Sequence, residues 1–86
     1  MAATDQILAR NLRTIRRALG WSQEELAHRA RSGRTYVGAV EKCKQSPTLD
    51  WLQAVADCVG LDVHELLDPD TITVVMKVRA REITRE

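Results

Sequence analysis

Cys43, Cys58, His28 and His64 are the residues whose types could ligate a metal or serve as nucleophile and base, and their spacing supports neither use. The cysteines form no CxxC pair and have no histidine at ligand spacing, so we read no metal site. Two cysteines are also too few for a disulfide scaffold. In a reducing compartment Cys58 reads as a small core hydrophobe and Cys43 as a loop residue. Both histidines fall on exposed helix positions with no serine, cysteine or carboxylate arranged beside them in a catalytic pattern, so the chain reads as a non-enzyme without a cofactor. The basic side chains are more distinctive. Residues 1–45 carry nine Lys/Arg against four Asp/Glu, residues 46–70 carry six acids and no base, and residues 71–86 carry four bases against two acids. A net charge of +1 hides this segregation. A basic first half joined to an acidic middle predicts one face that phosphates approach and another that they avoid.

A scaffold of 86 residues can hold one core, because so short a chain buries only about 60% of its unfolded surface. Trp21, Tyr36 and Trp51 are the only aromatics, so that core must be built from Leu, Val, Ile and Ala. Small packed helices suit such a composition, and a large ligand pocket does not. No apolar run approaches the roughly 20 residues that span a bilayer. The start, MAATDQILAR, has no basic region leading into a long hydrophobic stretch. The expectation is a cytoplasmic protein with no membrane partner.

The helices follow from periodicity and punctuation. Leu8, Leu12, Ile15 and Leu19 recur at helical spacing from Asp5 to Leu19, with Arg10, Arg13 and Arg17 mainly on other faces and Gly20 as the stop. Ser22 and Glu25 form a capping box that opens a second helix from Gln23 to about Ala30. Arg31, Ser32 and Gly33 break the pattern. A third helix then runs from Arg34 to about Lys42, with Val37 and Val40 inward and Tyr36 beside them. Short helix, tight turn and short helix is the helix-turn-helix shape. After a loop with Ser46 and Pro47, Thr48 caps a fourth helix whose Leu49, Leu52, Val55, Ala56 and Val59 form one stripe ended by Gly60. Asp62 can cap a short fifth helix, Val63 to Leu67, before Pro69.

From Thr71 to Ala80 the pattern changes. Ile72, Val74, Met76, Val78 and Ala80 alternate with their neighbours in a segment rich in β-branched residues, which predicts a strand. A helix competes, since Ile72, Val75, Met76 and Ile83 lie near one helical face. A lone strand would leave unpaired N–H and C=O groups, so a second copy of the segment is the expected partner. Ile72, Val74, Met76 and Val78 would then form a dimer interface. Trp51, off the stripe of the fourth helix, would be covered by the tail or join a subunit contact. The fold expected is thus mainly α, five helices with a C-terminal strand, divided into residues 1–69 and a dimerisation tail, 70–86.

Residues 22–67 resemble the Cro/repressor (XRE-type) helix-turn-helix family through SQEELAHRA, RTYVGAVEK and SPTLDWLQAVADCVGLDVHELL. RTYVG, VEK and the SPTL-like helix start are similar to controller proteins of restriction-modification systems, although ordinary repressors use close variants. The resemblance implies a homodimeric regulator on a two-fold operator in double-stranded DNA. Arg34 and Thr35 would read base edges, with Gly38 and Ala39 keeping the face narrow enough for the major groove. Gln23, Lys42, Lys44 and Gln45 would contact phosphates. Arg16 and Glu41 match a structural pair that locks the third helix to the first. Alternatives are an antitoxin that also recruits a toxin, a regulator that engages RNA polymerase, or an interaction module that keeps the fold without binding DNA.

Two positions depart from the family's pattern. Arg31 stands where the turn usually has glycine, and Cys43 where glycine often ends the recognition helix. A left-handed backbone there costs a non-glycine residue about 1 kcal/mol. Gly33, two residues on, offers a re-formed turn in which Ser32 or Gly33 caps the helix.

Overall fold

The computed structural model describes residues 3–84, with the side chains of the last helix as far as Arg81. Six helices follow one another: α1 (Ala3–Leu19), α2 (Gln23–Arg29), α3 (Arg34–Glu41), α4 (Leu49–Val59), α5 (Val63–Leu66) and α6 (Thr71–Thr84). Leu8, Leu12 and Ile15 of α1 form the spine of a single core that takes in Leu26, Val37, Val40, Val55, Leu66, Val74 and Val78. Three of the starts have a cap that the local sequence supplies. The Ser22 hydroxyl accepts from the Glu25 N–H, the Thr48 hydroxyl from the Trp51 N–H, and the Glu65 carboxylate from the Asp62 N–H. Gly60 ends α4 in the left-handed region at φ 77°, a conformation open to glycine at no steric cost. Leu49 departs from the expected stripe and points to solvent, while Leu52, Val55, Ala56 and Val59 are buried.

The tail corrects the sequence reading. Among the described residues there is no strand, and Thr71–Thr84 is helical, packed against α1. Asp70 supplies a start that the alternation concealed: one carboxylate oxygen accepts from the Thr73 N–H at 3.2 Å and the other from the Thr73 hydroxyl at 2.8 Å. Val74 and Val78, one helical turn apart, are each 1% exposed in the chain's own core. Burying two such side chains stabilises by about 3 kcal/mol or more, which offsets β-branched propensity costs of about 0.5 kcal/mol per residue. A helix also satisfies its own backbone groups, so the strand's need for a partner disappears. Residues 85 and 86 of the expected tail lie outside the described residues.

A second unforeseen device holds the tail's start. Asn11 is completely buried in the middle of α1, and its amide donates to the carbonyls of Leu66 at 2.7 Å and Asp68 at 2.8 Å. Its oxygen accepts from the Thr71 hydroxyl at 2.7 Å. One side chain thus satisfies the end of α5 and the beginning of α6 together, which is what a polar group in a core must do to avoid a desolvation cost.

Candidate nucleic-acid interface

The α2–turn–α3 unit is built by a buried carboxylate. Glu41, 4% exposed, accepts two bonds from the Arg16 guanidinium, at 2.9 and 3.1 Å, and a third from the Gln23 amide at 3.1 Å. Arg16 also donates to the Trp21 carbonyl at 3.0 Å, and Arg13 to the Glu41 carbonyl at 2.6 Å. One acid therefore joins the end of α3 to α1 and to the first residue of α2. Charge pairs at this depth need such full hydrogen bonding, because desolvation otherwise cancels the attraction.

On the outer side of this cluster, Gln23, Arg34, Thr35, Gly38, Ala39, Lys42 and Lys44 line one concavity of about 300 Å³. Arg34, Thr35, Lys42 and Lys44 are exposed, and Gln45, also exposed, lies beyond the lining. Gly38 and Ala39 keep the middle of the wall low. The Gln23 side chain crosses over Gly38, where an added methyl would meet its amide oxygen at 3.6 Å, an ordinary contact. An exposed cationic rim around a small-residue floor can accept phosphates at its edge and a base edge at its centre.

The turn feeding this surface is held in an unusual way. Arg31 takes the left-handed region at φ 56° and Cys43, after α3, does the same at φ 59°. Gly33 is the N-cap of α3, as the sequence allowed, with extended backbone and no side-chain cap bond, but the turn is not re-formed, because Arg31 keeps the left-handed position. Bracing comes from α4: the Trp51 indole N–H donates to the Ser32 hydroxyl at 2.9 Å, and its ring meets Tyr36 edge-on at 5.3 Å between centroids. Trp51 is thereby occupied by the helix-turn-helix rather than by the tail. Val74 and Val78, the other proposed interface residues, are withdrawn into the core, while Ile72 and Met76 remain exposed.

A second, polar concavity of about 540 Å³ is lined by Glu25, His28, Arg29, Asp57 and Cys58. Burial pushes the Cys58 thiol above its ordinary value, with Arg29 pulling it down and Asp57 adding to the rise. A raised pKa leaves little thiolate at neutral pH, the opposite of an activated nucleophile. Among the described residues no group of His, Cys, Asp or Glu is placed to hold a metal ion, and no helix is long and apolar enough to cross a membrane.

A helix-turn-helix domain family matches residues 7–68. Over 63 residues the chain is 41% identical to the Neisseria hypothetical transcription factor of Neisseria meningitidis, covering 73% of this chain and 59% of that protein. It is 39% identical to the control protein C.SmaI of Serratia marcescens over 62 residues, 72% of this chain and 74% of that one. The crystal structure of the hypothetical transcription factor NHTF from Neisseria superposes with a TM-score of 0.76 at 36% identity, covering 85% of this chain and 84% of that one. The chain belongs to the XRE-type helix-turn-helix family.

Proposed function

We propose that α3 enters the major groove and that the protein is a sequence-specific transcription regulator. The observation that carries this is the shared concavity: Arg34 and Thr35 border the same floor of Gly38 and Ala39 as Gln23, Lys42 and Lys44. In this reading Arg34 pairs with guanine O6 and N7, and Thr35 touches a neighbouring base edge or thymine methyl. Lys42, Lys44 and Gln45 neutralise or bond phosphates on one side and Gln23 does so on the other. Gln23 has a double task, since one of its amide hydrogens is committed to Glu41. The protein acts as a homodimer on a two-fold operator with half-sites about 10 base pairs apart or a multiple of that, because one short helix reads too few bases alone. The tail supplies the subunit contact as a helix: Ile72, 74% exposed, and Met76, 64% exposed, flank an apolar hollow of about 330 Å³ that also includes Val75.

The test is binding to duplexes selected by the wild-type protein from a random pool, compared with scrambled duplexes. Arg34→Ala should cost about 1–3 kcal/mol at the selected site and flatten sequence preference, whereas Lys44→Ala should weaken all duplexes alike and lower the salt slope by about one. An unchanged ratio of selected to scrambled affinity in Arg34→Ala would remove the base-reading role. A footprint of one asymmetric half-site, bound by monomer, would remove the two-fold operator.

A further inference from the structure

We infer that Trp51 is a positioning residue for sequence discrimination: from α4, it sets the start of the recognition helix and so the direction in which Arg34 and Thr35 project. The inference rests on the major-groove reading above and adds a determinant outside the DNA-facing surface.

The local sequence underdetermines this turn. Arg31 occupies a left-handed conformation that a side chain disfavours, Gly33 is flexible, and the N-terminus of α3 has no side-chain cap. Val37, fully buried, fixes α3 from beneath at the end of its first turn. Arg34 and Thr35 belong to that first turn and are exposed, so the core does not hold them. Trp51 supplies the missing constraint at two points on either side of them. Its N–H bonds the Ser32 hydroxyl before α3 at 2.9 Å, and its ring packs edge-on against Tyr36 just after Thr35. Trp51 is itself anchored, because its backbone N–H is bonded by the Thr48 hydroxyl at the start of α4. A long arginine amplifies small rotations at its Cα, and a bidentate base contact tolerates little misalignment. The brace therefore affects base reading more than phosphate contacts, which rely on flexible lysines.

The experiment uses the full chain with the selected and scrambled duplexes. Trp51→Phe keeps a ring against Tyr36 and removes the N–H; Ser32→Ala removes the acceptor without touching the core. Each should lower the ratio of selected to scrambled affinity by about 3- to 10-fold, as expected for one lost, partly buried hydrogen bond. Scrambled-duplex affinity and salt slope should stay the same, and the double variant should lose no more than either single one. Unchanged ratios in both single variants, with Arg34→Ala still lowering its own, would overturn the brace and leave base reading intact. Additive losses would assign the effects to separate causes and overturn it too. A ratio that falls in Trp51→Phe but not in Arg34→Ala would overturn both, since nothing would then be positioned.

Discussion

Two buried glutamates hold the two ends of this molecule, and they do so in different dielectric surroundings. Glu41 locks α3 through Arg16, whose side chain is only 14% exposed, together with Gln23. Glu65 locks the tail through Arg81 at 2.8 Å and Lys77 at 3.1 Å, side chains that are 42% and 41% exposed, with the Asp62 N–H completing the set. The first cluster is enclosed and joins three helices. The second opens to solvent and joins the end of α5 to α6, where Arg81 also donates to the Gly60 carbonyl. Enclosure raises both the attraction and the penalty for breaking it, while exposure weakens both. The helix-turn-helix end is therefore the more rigidly specified, and the tail the more responsive to pH and salt.

The largest effect should come from opening the enclosed cluster. Arg16→Met leaves the Glu41 carboxylate buried with Gln23 as its remaining side-chain donor, and should destabilise by about 3 kcal/mol in denaturant unfolding at neutral pH. Adding Glu41→Leu should recover part of the loss, because the uncompensated charge is gone. A loss under about 1 kcal/mol would erase the contrast between the two ends. Glu65 should show a smaller, pH-dependent effect. The Arg81 hydrogen bonds, then the Asp62 N–H, hold its carboxyl at about 2, below the ordinary value of 4.5. A depressed carboxyl stabilises the fold above its unfolded pKa and loses that contribution as pH falls. Glu65→Gln should thus be less stable than wild type by about 1–2 kcal/mol at pH 7, allowing for screening of its exposed partners. That gap should close between about pH 4.5 and 2. Urea midpoints of both proteins across that range measure it, and a gap independent of pH would mean the ion pairs contribute nothing.

The same contrast governs how far the sequence could be read. Around the helix-turn-helix most local rules agree with the final fold: the Ser22 hydroxyl starts α2, and Val37 and Val40 turn inward. The exceptions are Glu25, whose carboxylate accepts from Arg29 and not from the cap, and Arg31 and Cys43 with their left-handed backbone. The residues singled out for DNA, Gln45 excepted, line one hollow. In the tail local signals conflict. Alternation and β-branching argue for a strand, while Asp70 placed three residues before Thr73 argues for a helix start, and that cap is the overlooked sign. Tertiary packing decided the matter through Val74 and Val78, and α1 cannot be seen as their partner from a one-dimensional pattern. Asn11 was missed for a similar reason, since its three bonds reach residues 55 to 60 positions away. Trp51 was recognised as out of place on its helix, but its partners Ser32 and Tyr36 come from a separate turn.

The smallest effect sharpens the comparison at the helix-turn-helix end itself. Arg31 is exposed, its backbone lies at φ 56°, and its N–H bonds the His28 carbonyl at 3.2 Å while the next N–H, of Ser32, bonds Ala27 at 2.8 Å. These two bonds end α2 and require a left-handed residue at position 31. Glycine meets that requirement without the clash between Cβ and the following carbonyl, although it gives the unfolded chain more freedom. The clash is worth about 1–2 kcal/mol and the added freedom takes back part of it, so Arg31→Gly should stabilise by about 0.5–1 kcal/mol. If Trp51 braces the turn, its Ser32 bond holds Arg31 in the strained conformation, so glycine relieves the full strain in the wild type. The gain should be smaller in a Trp51→Phe background, where the freed turn can relax. Thermal unfolding of the four proteins in that cycle gives both numbers. Destabilisation by Arg31→Gly would mean that the arginine makes compensating contacts outweighing the backbone strain. Equal gains in the two backgrounds would mean that the turn and the tryptophan are energetically independent.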